Sequence, residues 1–93
     1  MIDVRCAPDG EGWLCQVQVE EVGRRTAHTV SVSGTDLDRW ASGRGQSDAE
    51  DLVARSFAFL LQREPASSIL RRFNLPEVQT YFAEFDQVMR ESR

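Results

Sequence analysis

The stretch WLCQVQVEEVGRRTAHTVSVS, residues 13–33, decides the fold. Trp13, Cys15, Val17 and Val19 alternate with Leu14, Gln16, Gln18 and Glu20. His28, Val30 and Val32 alternate with Ala27, Thr29 and Ser31 in the same way. A period of two places one set on a buried sheet face and the other in solvent. Between the two runs, Val22-Gly23-Arg24-Arg25 offers a two-residue turn, with Gly23 at the first central position as a type II′ hairpin requires. Counting outward from a Gly23-Arg24 loop pairs Val19 with His28, Val17 with Val30 and Cys15 with Val32.

Towards the N-terminus, Ile2, Val4 and Cys6 alternate with Asp3, Arg5 and Ala7, and Pro8-Asp9-Gly10-Glu11-Gly12 is a turn cluster. Pairing Val4 with Val17 also sets Ile2 against Val19 and Cys6 against Cys15. The reading is a three-stranded antiparallel meander, about residues 2–7, 13–22 and 25–33, with one apolar face. A one-residue slip would scatter that face across both sides of the sheet.

Towards the C-terminus the pattern becomes helical. Thr35 caps an expected short helix over 35–41. Ser47, with Glu50 three residues on, forms an expected capping box for a long helix over 48–63. That helix carries Ala49, Leu52, Val53, Phe57, Leu60 and Leu61 at helical spacing. It must end near Glu64-Pro65, since the residue before a proline is pushed out of the helical region. A short helix over 66–72 and a C-terminal helix over 76–90 follow. The last bears Val78, Tyr81, Phe82, Phe85, Val88 and Met89 on one face. The expected fold is a single α+β domain spanning residues 1–93, with the long helix covering the apolar face of the sheet.

Charge and composition narrow the function classes. The formal net charge is −4, which argues against non-specific binding to nucleic acid or acidic membranes. Every basic residue is Arg, so lysine Schiff-base and P-loop chemistry are excluded. Residues Met1–Cys6 do not read as a secretory signal, and the strongest apolar run, Phe57–Leu61, is far too short to cross a bilayer. The expectation is a cytoplasmic protein with Cys6 and Cys15 packed as reduced thiols.

No residue pattern argues for catalysis, and no metal or cofactor is expected. Only His28 could join the two cysteines as a ligand, two rows away in the derived register. Gly43, Arg44, Gly45 and Ser47, leading into a helix start, are a candidate anion loop, although they lack the Gly-Lys-Ser/Thr ending of a phosphate loop. Ala27, Thr29, Ser31 and Ser33 are a candidate partner edge: the third strand carries no formal charge between Ala27 and Ser33 and no proline, so it should pair with a second copy or a protein partner unless the chain covers it. Tyr81, Phe82 and Phe85 are expected in the core, with a partner-binding face as the rival reading.

Two resemblances add to this. The segment Ser56-Phe57-Ala58-Phe59-Leu60-Leu61-Gln62-Arg63-Glu64-Pro65, then Ser68-Ile69-Leu70, Phe73 and Tyr81-Phe82, resembles a group of small prokaryotic proteins of unassigned activity. It covers about the second half of the chain and implies no site residues. The order of a meander followed by a helix capped at Ser47-Asp48-Ala49-Glu50 is similar to HicB-type antitoxins. That resemblance implies a sheet-and-helix domain that binds a toxin. The chain lacks the Pro-Gly-Cys-like strand end of that family and its DNA-binding module. The leading expectation is a non-enzymatic interaction or regulatory domain, able to form a homodimer. The alternatives are an antitoxin-like partner of a toxin or nucleic-acid enzyme, and a small-ligand or anion binder using the 43–47 loop.

Overall fold

A computed structural model describes all residues from Met1 to Arg93. Three antiparallel strands open the chain: β1 (Ile2–Asp9), β2 (Gly12–Glu21) and β3 (Arg24–Val32). Helices α1 (Gly34–Trp40) and α2 (Gln46–Leu61) follow. A 3-10 turn at Ala66–Ser68 leads to a short strand β4 (Arg72–Asn74), and then to α3 (Glu77–Tyr81) and α4 (Phe85–Ser92). The order across the sheet is β1-β2-β3-β4. No helix is long and apolar enough to cross a membrane.

The β1–β2 register is the one derived from sequence, with Ile2 opposite Val19, Val4 opposite Val17 and Cys6 opposite Cys15. The β2–β3 register differs by two residues. Val17 faces His28, Cys15 faces Val30 and Val19 faces Thr26. The reason lies in the turn. Glu21 pairs with Arg24, so the loop is Val22-Gly23, and Gly23 sits second with φ +73°. Glycine reaches that left-handed region without steric cost. A shift of two preserves which side chains face the core, so Val17, Val19, Val30 and Val32 are buried as expected.

Two other expectations are corrected. The short helix over 66–72 persists only as the 3-10 turn Ala66–Ser68, and its last residue, Arg72, opens β4, parallel to β3 with Phe73 opposite Val30. Third-strand backbone groups would otherwise lack partners, and satisfying them outweighs local helix propensity. The C-terminal helix is broken at residues 82–84, so that α3 ends at Tyr81 while α4 packs on α1 and α2. Phe85 thereby meets Trp40 and Phe59 edge-on, with ring centres 5.1 and 5.3 Å away.

The helix starts also differ in detail. Ser33, not Thr35, caps α1, in a reciprocal capping box with Asp36. The first turn of α2 begins at Gln46, and Asp48 reaches back to accept the Gly45 N–H at 3.0 Å. Glu50 is thereby released from capping and faces the sheet. Its carboxylate accepts the Cys6 N–H at 3.0 Å, while the Gln46 amide donates to the Cys6 carbonyl at 2.9 Å. The two side chains stand where a neighbouring strand would pair and close the outer edge of β1 at that point.

Cys6 and Cys15 are joined as a disulfide, not held as separate thiols, with Cα atoms 4.0 Å apart. They occupy a non-hydrogen-bonded antiparallel pair, where facing side chains come closest.

Candidate docking groove

A concavity lined mostly by hydrophobic residues lies beside β3 and is built from three pieces. The C-terminal end of α2 contributes Leu60, with Glu64 just beyond it. The segment leading into β4 contributes Ser68, Ile69, Leu70 and Phe73. Glu77, Val78, Tyr81 and Phe82 close the far side from α3 and its end. The groove is open on one side and has a volume of about 340 Å³, at the lower end of the range of small-molecule pockets.

The sheet holds the near wall in place. His28 is 3% exposed. Its Nδ1–H donates to the Leu70 carbonyl at 2.8 Å, since a carbonyl can only accept, and its Nε2 then accepts from the Thr26 hydroxyl at 2.9 Å. The Thr29 N–H donates to the Arg71 carbonyl at 2.7 Å, and the Leu75 N–H to the Ser31 carbonyl at 3.0 Å. These bonds fix the backbone of residues 70–75 against β3. Phe57 packs beneath, its ring 5.2 Å from His28 and 6.1 Å from Phe73.

The far wall is anchored differently. The Asn74 N–H donates to the Glu77 carboxylate at 2.8 Å across the turn into α3. Phe82 packs edge-on against Phe59 at 5.9 Å, and Arg63 lies over the Phe59 ring at 3.5 Å while reaching Glu84 at 3.3 Å. Glu84 is held below the usual carboxylate range, first by a backbone N–H at its own position and then by Arg63.

Two large apolar side chains are left in solvent at the rim: Leu70, 49% exposed, and Tyr81, 68% exposed. Glu64 and Glu77 are the groove's only charged groups, and neither forms an ion pair. The expected aromatic core set therefore splits. Phe85 is buried, Phe82 is half-buried and Tyr81 faces out.

The other sequence candidates are placed as follows. At the expected partner edge, Thr29 and Ser31 are paired with β4, Ser33 caps α1 and Ala27 is exposed. The third strand is thus an interior strand at residues 29–31, and the expectation of an open edge there is corrected. In the candidate anion loop, Arg44 is tied to Asp38 through two bonds of 2.8 and 2.5 Å, which hold the Asp38 carboxyl below its usual range. Asp48 occupies the helix start, and its carboxylate lies within 2.6 Å of where a Cβ on Gly43 would stand. Ser47 is exposed. An incoming anion would meet carboxylates where it needs free N–H groups. No three His, Cys, Asp or Glu side chains come together as a metal site.

The exposure of Leu70 and Tyr81 was not legible in the sequence. Adjacent Ile69 and Leu70 gave the one hint, since in an extended segment two neighbouring residues cannot face the same core. No family model, curated protein or solved structure matches this chain.

Proposed function

We propose that this chain is a non-enzymatic protein-interaction domain. Its docking surface is the groove between the end of α2 and α3, and its occupant is a protein segment carrying an apolar side chain beside an arginine or lysine. The observation that carries the reading is the pairing of Leu70 and Tyr81, exposed on the rim of an apolar concavity, with Glu64 and Glu77, carboxylates that no cation of the chain neutralises. Apolar anchors in pockets with charged rims are the usual anatomy of protein recognition, and aromatic residues are prominent among them.

The net charge of −4 favours a protein partner over nucleic acid. The interior position of the third strand at residues 29–31 favours side-chain docking over strand addition at that edge. A toxin, the partner implied by the resemblance to HicB-type antitoxins, falls within this class.

The test is selection from a displayed random peptide library on the wild-type domain and on Tyr81→Asp. The reading expects enriched peptides with a large apolar residue next to Arg or Lys, lost on the variant. Enrichment that ignores Tyr81→Asp, or acidic peptides in place of basic ones, would overturn it.

A further inference from the structure

The chain itself presents a segment of the chemistry that the groove selects. The β2–β3 hairpin ends in Val22, which is fully exposed at 106% of its reference area, on a tight two-residue turn. Arg25 is held by Glu20 at 2.6 Å, which leaves Arg24 as the unpaired cation beside Val22. An apolar knob next to a free guanidinium thus projects from one end of the sheet, and the groove beside β3 carries two carboxylates that form no ion pair.

We infer that the groove's occupant is the hairpin tip of a second copy of this chain, with Val22 seated among Leu70, Phe73 and Tyr81 and Arg24 facing Glu64 and Glu77. The inference rests on the docking role proposed above for the groove. A tip cannot fold back into its own groove. The groove wall is fixed to β3 at His28, six residues from Val22, roughly 20 Å along a strand that the sheet keeps straight. Each copy carries both a knob and a groove, so two reciprocal contacts related by a two-fold axis would close as an isologous dimer.

Strand pairing with another chain is hindered at two places on the sheet. β4 pairs with β3 at residues 29–31. On β1, Gln46 and Glu50 take both backbone groups of Cys6, and Pro8 follows without an N–H. These local blocks favour side-chain docking over strand addition at those positions.

The test is the solution mass at high micromolar concentration, by light scattering and sedimentation, of the wild type, Val22→Asp, Tyr81→Asp and an equal mixture of the two variants. The expected result is a wild-type dimer whose dissociation constant rises at least about tenfold in each variant. The mixture should recover part of the dimer, because it retains one intact tip and one intact groove. Raising the salt should weaken the wild-type dimer through the Arg24 contact. Val22 touches nothing in the core, so Val22→Asp stays informative even if Tyr81→Asp fails to fold. A monomeric wild type, or a dimer unaffected by Val22→Asp, would overturn the inference. If groove-selected peptides still bind in a Tyr81-dependent manner, only self-docking has failed; if they do not, the groove reading has failed with it.

Discussion

The Nδ1–H of His28 donates to the carbonyl of Leu70 across 42 residues of chain, at 2.8 Å. The single histidine thereby joins the sheet to the wall of the groove. With its Nε2 satisfied by Thr26, both ring nitrogens are engaged in a site almost closed to water. Replacing it by Phe keeps the bulk beside Phe57 and deletes both bonds. His28→Phe should cost about 1–3 kcal/mol of stability in urea denaturation. Amide exchange at Thr29 and Leu75, whose N–H groups bridge β3 and the groove wall, should accelerate more than that at Val17. Uniform acceleration across the sheet would show that the bond does not act locally.

The Cys6 backbone is the second point where side chains complete the sheet. Gln46 and Glu50 supply the donor and acceptor that a fifth strand would bring. Gln46→Ala together with Glu50→Ala frees that edge. The double variant should scatter light and bind amyloid-reporting dye at concentrations where the wild type stays clear, because an unpaired edge templates further pairing. A variant as soluble as the wild type would show that the edge is protected by other means.

The disulfide closes a short loop, with a sequence separation of 9 between Cys6 and Cys15. In the chain-entropy account a loop of this size contributes about 2–3 kcal/mol. Cys6→Ala with Cys15→Ala should therefore lower the denaturation midpoint by a corresponding amount while leaving the β1–β2 contacts in place. Intact mass with and without reductant should show the loss of two hydrogens in the untreated wild type. Free thiols in protein kept under non-reducing conditions would contradict the bridged state.

Asp86 accepts from the Trp40 indole N–H at 2.8 Å and also meets Arg90 and Arg39. Its carboxyl is held below its ordinary value of 3.8, first by Trp40 and then by Arg90. A depressed carboxylate stabilises the folded state above its unfolded value and loses that contribution as pH falls through the folded one. Asp86→Ala should therefore unfold at lower urea than the wild type at neutral pH. The gap should narrow as pH drops below about 3.8. A gap that stays constant down to strong acid would remove the electrostatic account.

Much of this fold is written locally. In the first hairpin the Pro8–Gly12 turn cluster limits the offset between the strands, and the register that sets Cys6 against Cys15 also sets Ile2 against Val19 and Val4 against Val17. The second hairpin has a single glycine, and Gly23 suits either central position of a two-residue turn. Local chemistry could not choose between the registers, although both bury the same side chains. β4 has three residues and takes its conformation from β3, so nothing in Arg72-Phe73-Asn74 announces a strand. The groove depends on that strand and on the break after Tyr81. Both are tertiary outcomes, which is why an apolar stripe from Val78 to Met89 read as one continuous core face.

The docking role proposed for the groove is tested most directly by the amide spectrum of isotope-labelled domain titrated with a groove-selected peptide that carries an apolar residue beside an arginine. Saturable shifts are expected, confined to Leu60, Glu64, Ile69, Leu70, Phe73 and the α3 residues Glu77 to Tyr81. Shifts centred instead on the Gly43–Ser47 loop or the β1 edge, or none at millimolar peptide, would contradict that role.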